Sequence, residues 1–342
     1  MMQFPMMRQW RAMALVTAAW LVPHGAAASA QTLPGCDAAI AYSQARDGVA
    51  VLVLEDGRIA CASAGVDVSH ELWSGTKSLI GLVAAAAVQD GLLTLDEAAA
   101  ATITEWRDVP QKNAITIRHL LSMTSGHPSA VGRPQGYAAS LDVPLTQAPG
   151  TAFQYGPTPL QIFGEILKRK LSAGGQDADP RAYAERRLLQ PLGVTVADWR
   201  NGPDGQPLMP QGAVMSAKQW ARLGEFVRAG GVQNGKPLVD GATLRALFDG
   251  STPNPAYGLT WWLPRATPAK DAVTAATDIT QAGGELPQDM VLAAGAGDQR
   301  LYVIPSRKLT IVRQARLNMA NVLSGKASGW SDRQFLGLLL GS

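Results

Sequence analysis

Cysteine is nearly missing from this chain: Cys36 and Cys61 are the only two in 342 residues, and histidine occurs four times. No His, Cys, Asp or Glu cluster has metal-ligand spacing, so neither a metal nor another cofactor is expected. Neither cysteine has the basic surroundings of a catalytic thiol. Charge is also scarce, at 17% of residues, with a formal net of +3. That balance is too close to neutral for an electrostatic nucleic-acid binder. No Gly-rich phosphate loop, internal repeat or Ser/Gly- or Pro-rich linker interrupts the chain. Beyond the N-terminal stretch no uncharged run is long enough to span a bilayer, so stable membrane insertion is not expected.

What is present begins with a segment of secretory form. Arg8 and Arg11 precede the apolar run Met13–Val22, and Ala28-Ser29-Ala30 supplies small residues for cleavage. The spacing predicts an exported chain, secreted or periplasmic, beginning near Gln31, with no cysteine there for a lipid anchor. Residues 1–30 carry two arginines and no acid, so their removal leaves a formal charge of +1. Export favours a disulfide between Cys36 and Cys61 over two separate buried thiols.

The most informative run is Trp73-Ser74-Gly75-Thr76-Lys77-Ser78. Residues at i and i+3 share a helix face, so Ser74 and Lys77 would meet at the start of a helix. There, free backbone N–H groups favour developing negative charge. A serine hydroxyl needs a neighbouring base, and a lysine serves only if its pKa is lowered. The apolar run from Leu79 to Val88 predicts that this helix is buried on most sides, which makes a lysine one turn in costly without a purpose. The alternative is an N-cap serine with a solvated lysine.

The remaining pattern predicts a helix over 37–46. It also predicts a hairpin, 49–54 with 59–63, around Asp56-Gly57. Helical segments are predicted over 116–123, 159–168 and 180–189, with Thr158 and Asp179 as caps. A helix over 216–228 stops at Gly230-Gly231. Strands are expected over 258–263, 299–304 and 308–313, and a closing helix over 335–340. Strands at both ends with helices between imply a three-layer α+β fold. Its antiparallel sheet is built from both chain ends and flanked by helices. The expected division is a sheet body, 31–95 with 214–342, and an inserted, mostly helical subdomain, 96–213.

Four ordered segments carry a resemblance. Ser74-Gly-Thr-Lys-Ser78, Ile115–Gly126, Ala213–Gly224 and Ala294–Pro305 resemble the class C β-lactamase-like serine hydrolases of the penicillin-binding protein superfamily. The likeness runs from about residue 50 to 315. It implies Ser74 as nucleophile and Lys77 as base. It also implies Tyr155, in Phe153-Gln-Tyr-Gly-Pro157, as a proton-sharing tyrosine; Tyr137 and Tyr183 are lesser candidates. Pro157 stands where the family has an asparagine that holds an acylamino group.

The family's Lys-Thr-Gly strand motif matches Ala296-Gly297-Asp298, so the cation that would bind a substrate carboxylate is missing. Lys77 then carries more of the base role. The resemblance implies an oxyanion hole from the backbone N–H groups of Ser74 and Gln299. Asp298 is a candidate for a cationic substrate group or for pairing with Arg300. Trp262 is a candidate wall of the acyl pocket, or an ordinary core aromatic. His70, His119 and His127 lack the context of a nucleophile's base.

The expected activity is hydrolysis of an ester or small amide through an acyl-enzyme, on a small-molecule ester, amide or lactam. The alternatives are a weak β-lactamase or D-amino-acid peptidase, and a non-catalytic binder of cell-wall fragments.

Overall fold

The computed structural model describes residues 1, 33–130, 132, 134–282, 284–319 and 328–341. The chain divides into two units, Met1–Gln31 and Thr32–Ser342, and every strand and helix named belongs to the second. The expected secretory segment lies outside the described residues.

Strands in chain order are β1 (Gly48–Glu55), β2 (Arg58–Ala62), β3 (Ser69–Glu71), β4 (Asp198–Trp199), β5 (Ala213–Ser216), β6 (Val232–Gln233), β7 (Lys236–Pro237), β8 (Val291–Gly295), β9 (Gln299–Ile304) and β10 (Leu309–Ala315). The main sheet runs β2-β1-β10-β9-β8 and is antiparallel throughout. It therefore joins the two ends of the chain. All seven residues of β10 are buried, as a central strand covered on both faces requires. The β1–β2 hairpin turns at Asp56 and Gly57, whose φ angles of 48° and 76° are those of a tight two-residue turn.

The side-chain alternation of β9 defines three layers. Leu301 and Val303 lie under Gly224 of the helix Ala217–Arg228, where an added Cβ would stand 2.8 Å from Leu301. Tyr302 faces the other way, its ring 6.1 Å from Phe335 of the helix Asp332–Leu340. That helix packs with Cys36–Gln44, and the Cys36–Cys61 disulfide ties the latter to β2. The fold is α+β, with its antiparallel sheet between helical layers.

Between β3 and β5 the regular structure is helical apart from the short strand β4. Ile117–Leu121 starts with a capping box in which Thr116 Oγ1 accepts from His119 N–H and His119 Nδ1 accepts from Thr116 N–H. Asp179 caps Pro180–Ala184. Thr158 is instead the first residue of its helix, Thr158–Ala173, which starts after Pro157.

Two strand expectations change. Residues 258–263 form no strand: Thr260 takes a φ of 76° and Gly258 N–H donates to Trp261 O at 2.8 Å, so the chain reverses there. Only single bridges remain, Tyr257 to Trp262 and Trp262 to Leu292. Conversely, β8 forms from Val-Leu-Ala-Ala-Gly, a run with little strand propensity, because its hairpin with β9 supplies the backbone partners.

Candidate active site

Ser74 sits in a single 3-10 turn, Trp73–Gly75, leading into the helix Thr76–Gln89. The sequence pattern predicts an α-helical first turn; the tighter turn follows from Trp73, whose φ of 50° is left-handed and costly for a non-glycine residue. The turn is held on every side. Leu72 N–H donates to Ala213 O, and Gly75 N–H to Leu72 O, both at 2.9 Å. A Cβ on Gly75 would stand 2.8 Å from the Trp220 ring. Ser74 itself is half-buried and so remains reachable from solvent.

Lys77, one turn on, is only 3% exposed. Its Nζ lies 3.0 Å from Ser74 Oγ and donates to Pro210 O at 3.0 Å. No carboxylate among the described residues compensates, and burial pushes the amine down to about 7. The helix around it is closed: Ser78 Oγ donates to Thr260 O at 2.7 Å, and Gly81 leaves 2.2 Å between an added Cβ and Thr260 Oγ1.

Tyr155 comes from the loop before the Thr158–Ala173 helix, fastened by Gln154 N–H to Met123 O (2.8 Å) and Ala130 N–H to Tyr155 O (3.2 Å). Its ring centre is 4.9 Å from Lys77 Nζ. Burial pushes the phenol up to about 12, opposed by a hydrogen bond with the Ser74 hydroxyl and by the charge of Arg300. The structure thus brings Ser74, Lys77 and Tyr155 together. Tyr137 and Tyr183 lie elsewhere, their hydroxyls donating to Pro207 O and Asp90 Oδ2 at 2.7 Å each.

Behind Tyr155 stands an aromatic cluster. Trp262 is 1% exposed, with ring centres 5.9 Å from Tyr155, 4.8 Å from Tyr257 and 6.2 Å from Phe153. Trp262 therefore backs the tyrosine instead of presenting a free face.

The strand beside Ser74 is β8, which corrects the position of the third motif. Ala296-Gly297-Asp298 forms the hairpin turn between β8 and β9. The residues facing the Ser74 turn are those ending β8, Ala293-Ala294-Gly295. An added Cβ on Gly295 would come within 2.0 Å of Leu72 O and 3.0 Å of Gly75 N. The absence of a cation on this strand is unchanged. The expectation for Gln299 is also corrected. Gln299 pairs with Gly295 across the β8–β9 ladder, and its side-chain amide bonds both backbone groups of Ala315. Gln299 is thereby committed to the β8–β9 ladder and to Ala315.

Strand alternation points instead to Ala296. Leu292 exchanges both backbone bonds with Trp262 on the outer edge of β8, so Ala294 and Ala296 turn the same way. The Ala296 N–H has no partner among the described residues. Asp298 is engaged by Arg300 at 3.4 Å. Sequence reasoning missed Gly295, whose signal was a glycine ending a strand, and Pro210, whose contribution is a carbonyl and leaves no side-chain trace.

The histidines lie outside this group. His70 is half-buried on β3, His119 closes its capping box, and His127 is 1% exposed with Nδ1 2.9 Å from Ser125 Oγ.

A helical layer on each sheet face, with a Ser-x-x-Lys turn against the edge strand, defines the fold class of the penicillin-binding proteins and serine β-lactamases. The beta-lactamase family model matches residues 26–321, and the chain belongs to that family. Solved structures of similar fold include a β-lactamase-like protein of Bacteroides dorei DSM 17855, with 17% identity, TM-score 0.71, and 90% of this chain and 97% of that one covered. A class C β-lactamase of Rhodobacter sphaeroides shares 16% identity at TM-score 0.64, over 90% and 98% of the chains. EstCE1, a hydrolase with promiscuous acyltransferase activity, shares 17% at TM-score 0.60, over 82% and 91%. At these identities the likeness is one of fold. No curated protein matches the chain in sequence.

Proposed function

We propose that this protein is an exported serine hydrolase that cleaves an ester or small amide through an acyl-enzyme on Ser74. The observation that carries the reading is the Lys77 amine, 3.0 Å from Ser74 Oγ, 3% exposed and lowered to about 7. A neutral amine at that distance accepts the serine proton as Oγ bonds to the substrate carbonyl carbon. The carbonyl electron pair moves onto oxygen, where the N–H groups of Ser74 and Ala296 receive it. Tyr155, neutral near pH 7, relays the proton from Lys77 to the leaving oxygen or nitrogen as its bond to carbon breaks. Water then adds to the acyl-enzyme, its proton follows the reverse path, and the Oγ–carbon bond breaks to release the acid.

Esters and small amides are preferred over lactams on two departures. Pro157 lacks an amide side chain, and β8 ends in Ala-Ala-Gly where the family carries a cation. Export is supported by the disulfide and by the secretory form of residues 1–30.

The test is ester turnover with active-site labelling. Wild type should hydrolyse p-nitrophenyl esters and gain one fluorophosphonate adduct on Ser74, and Ser74→Ala should lose both. Equal turnover in the two proteins would refute the assignment. Faster turnover of a chromogenic cephalosporin than of any ester would move it to the β-lactamases.

A further inference from the structure

We propose that Arg300 and Arg313 are positioning residues that hold the β8–β9 turn in the shape that points Ala296 N–H at Ser74; this rests on the hydrolase reading. The two side chains are 4% and 0% exposed. Arg300 Nη1 donates to Gly295 O at 3.3 Å and Gln299 O at 3.1 Å. Its Nε meets Asp332 Oδ1 at 2.7 Å, and its Nη2 meets Asp298 Oδ1 at 3.4 Å. Arg313 Nη1 donates to Gly297 O at 3.1 Å and Asp298 O at 2.8 Å. Its Nε donates to Ser43 Oγ at 3.1 Å, its Nη2 to Arg46 O, and the guanidinium lies 4.1 Å from the Trp330 ring centre.

Between Gly295 and Gln299, every carbonyl except that of Ala296 therefore accepts from one of these two arginines. The turn needs such a grip. Gly297 and Asp298 both have left-handed φ, 71° and 57°, and the second is costly for a side-chain-bearing residue. Two guanidiniums face two carboxylates, Asp298 and Asp332, so the cluster is close to neutral and acts by fixing shape. Each guanidinium holds two turn carbonyls through one nitrogen and ties them through its others to Asp332, or to Ser43 and Arg46, a span that the single ammonium of a lysine cannot cover. A donor for a developing oxyanion works only if it is aimed beforehand, and the Ala296 N–H, next after β8, has no partner among the described residues.

Arg313→Lys and Arg300→Lys in the full chain test this, with Trp330→Leu, which keeps both arginines but removes the ring beneath Arg313 and its N–H bond to Asp332, should a buried substitution fail to fold. Arg313→Lys should lower kcat for p-nitrophenyl esters by about 10- to 100-fold with KM within about threefold, less than full loss of an oxyanion donor. The rising limb of the pH profile should keep its midpoint, and amide exchange across 295–299 should quicken. Trp330→Leu should move kcat and exchange the same way by a smaller factor. A purely structural role would lower the melting temperature and leave kcat and turn exchange unchanged well below it. That result in a folded variant, or in Trp330→Leu, overturns the proposal. If wild type shows neither ester turnover nor a phosphonate adduct, the hydrolase reading fails, and unchanged turn exchange would then overturn the clamp separately.

Discussion

Lys77 carries two roles that pull against each other. Burying an amine without an acid destabilises its charged form, and the same penalty makes it a proton acceptor at neutral pH. Below about 7 the ammonium form dominates and cannot accept the serine proton; above it the amine is free. kcat/KM should therefore rise with pH through a single ionisation near 7, and a flat profile from pH 5 to 9 would contradict Lys77 as base. Lys77→Ala should lower kcat by about 10²- to 10⁴-fold with a smaller change in KM. Tyr155 is protonated across that range, which in the proposed mechanism suits it to relay a proton and not to initiate the attack. Tyr155→Phe should accordingly cost less than Lys77→Ala, and a loss equal to that of Ser74→Ala would reverse the order of importance.

Among the elements, the end of β8 lies directly against the turn that carries Ser74. Gly295 lets a strand lie against another backbone with no side chain between. Gly295→Ala should force β8 or the 3-10 turn to shift. Overpacking of this kind costs about 1–3 kcal/mol, and kcat should fall because Ala296 follows directly. Steady-state kinetics and urea unfolding on the same variant check both parts, and wild-type values in both would show that the backbones are less constrained than 2.0 Å implies. The lost strand over 258–263 belongs to this scale too. Thr260 and Leu259 turn inward to meet Gly81 of the nucleophile helix, and a regular strand could not make that contact.

For the whole molecule, the sheet that supports the site is assembled from the two far ends of the chain, β1 pairing with β10 from Gly48↔Ala315 to Glu55↔Leu309. The Cys36–Cys61 bond joins the N-terminal helix to the edge strand of that sheet. Its loss should cost about 3 kcal/mol by the chain-entropy account. Denaturant unfolding of a Cys36→Ser/Cys61→Ser variant beside the oxidised protein measures it, and matching midpoints would mean the helix is held by packing alone.

The sequence alone determined the α+β class, the Asp-Gly hairpin, the helix after Ser74 and the Ser-x-x-Lys pairing, because each depends on residues a few positions apart. The strand beside Ser74, the carbonyl that holds Lys77 and the donor proposed at Ala296 emerge only in the tertiary structure. All three are backbone groups, or depend on which backbone lies next to which. The roles proposed for Ala296 and the arginine-held turn, like the contact of Pro210 O with Lys77, depend on pairing across the sheet and loops, and side-chain chemistry read along a chain carries no record of that. Even the lowered amine is a tertiary property, since water leaves Lys77 only when the helices and strands close around it.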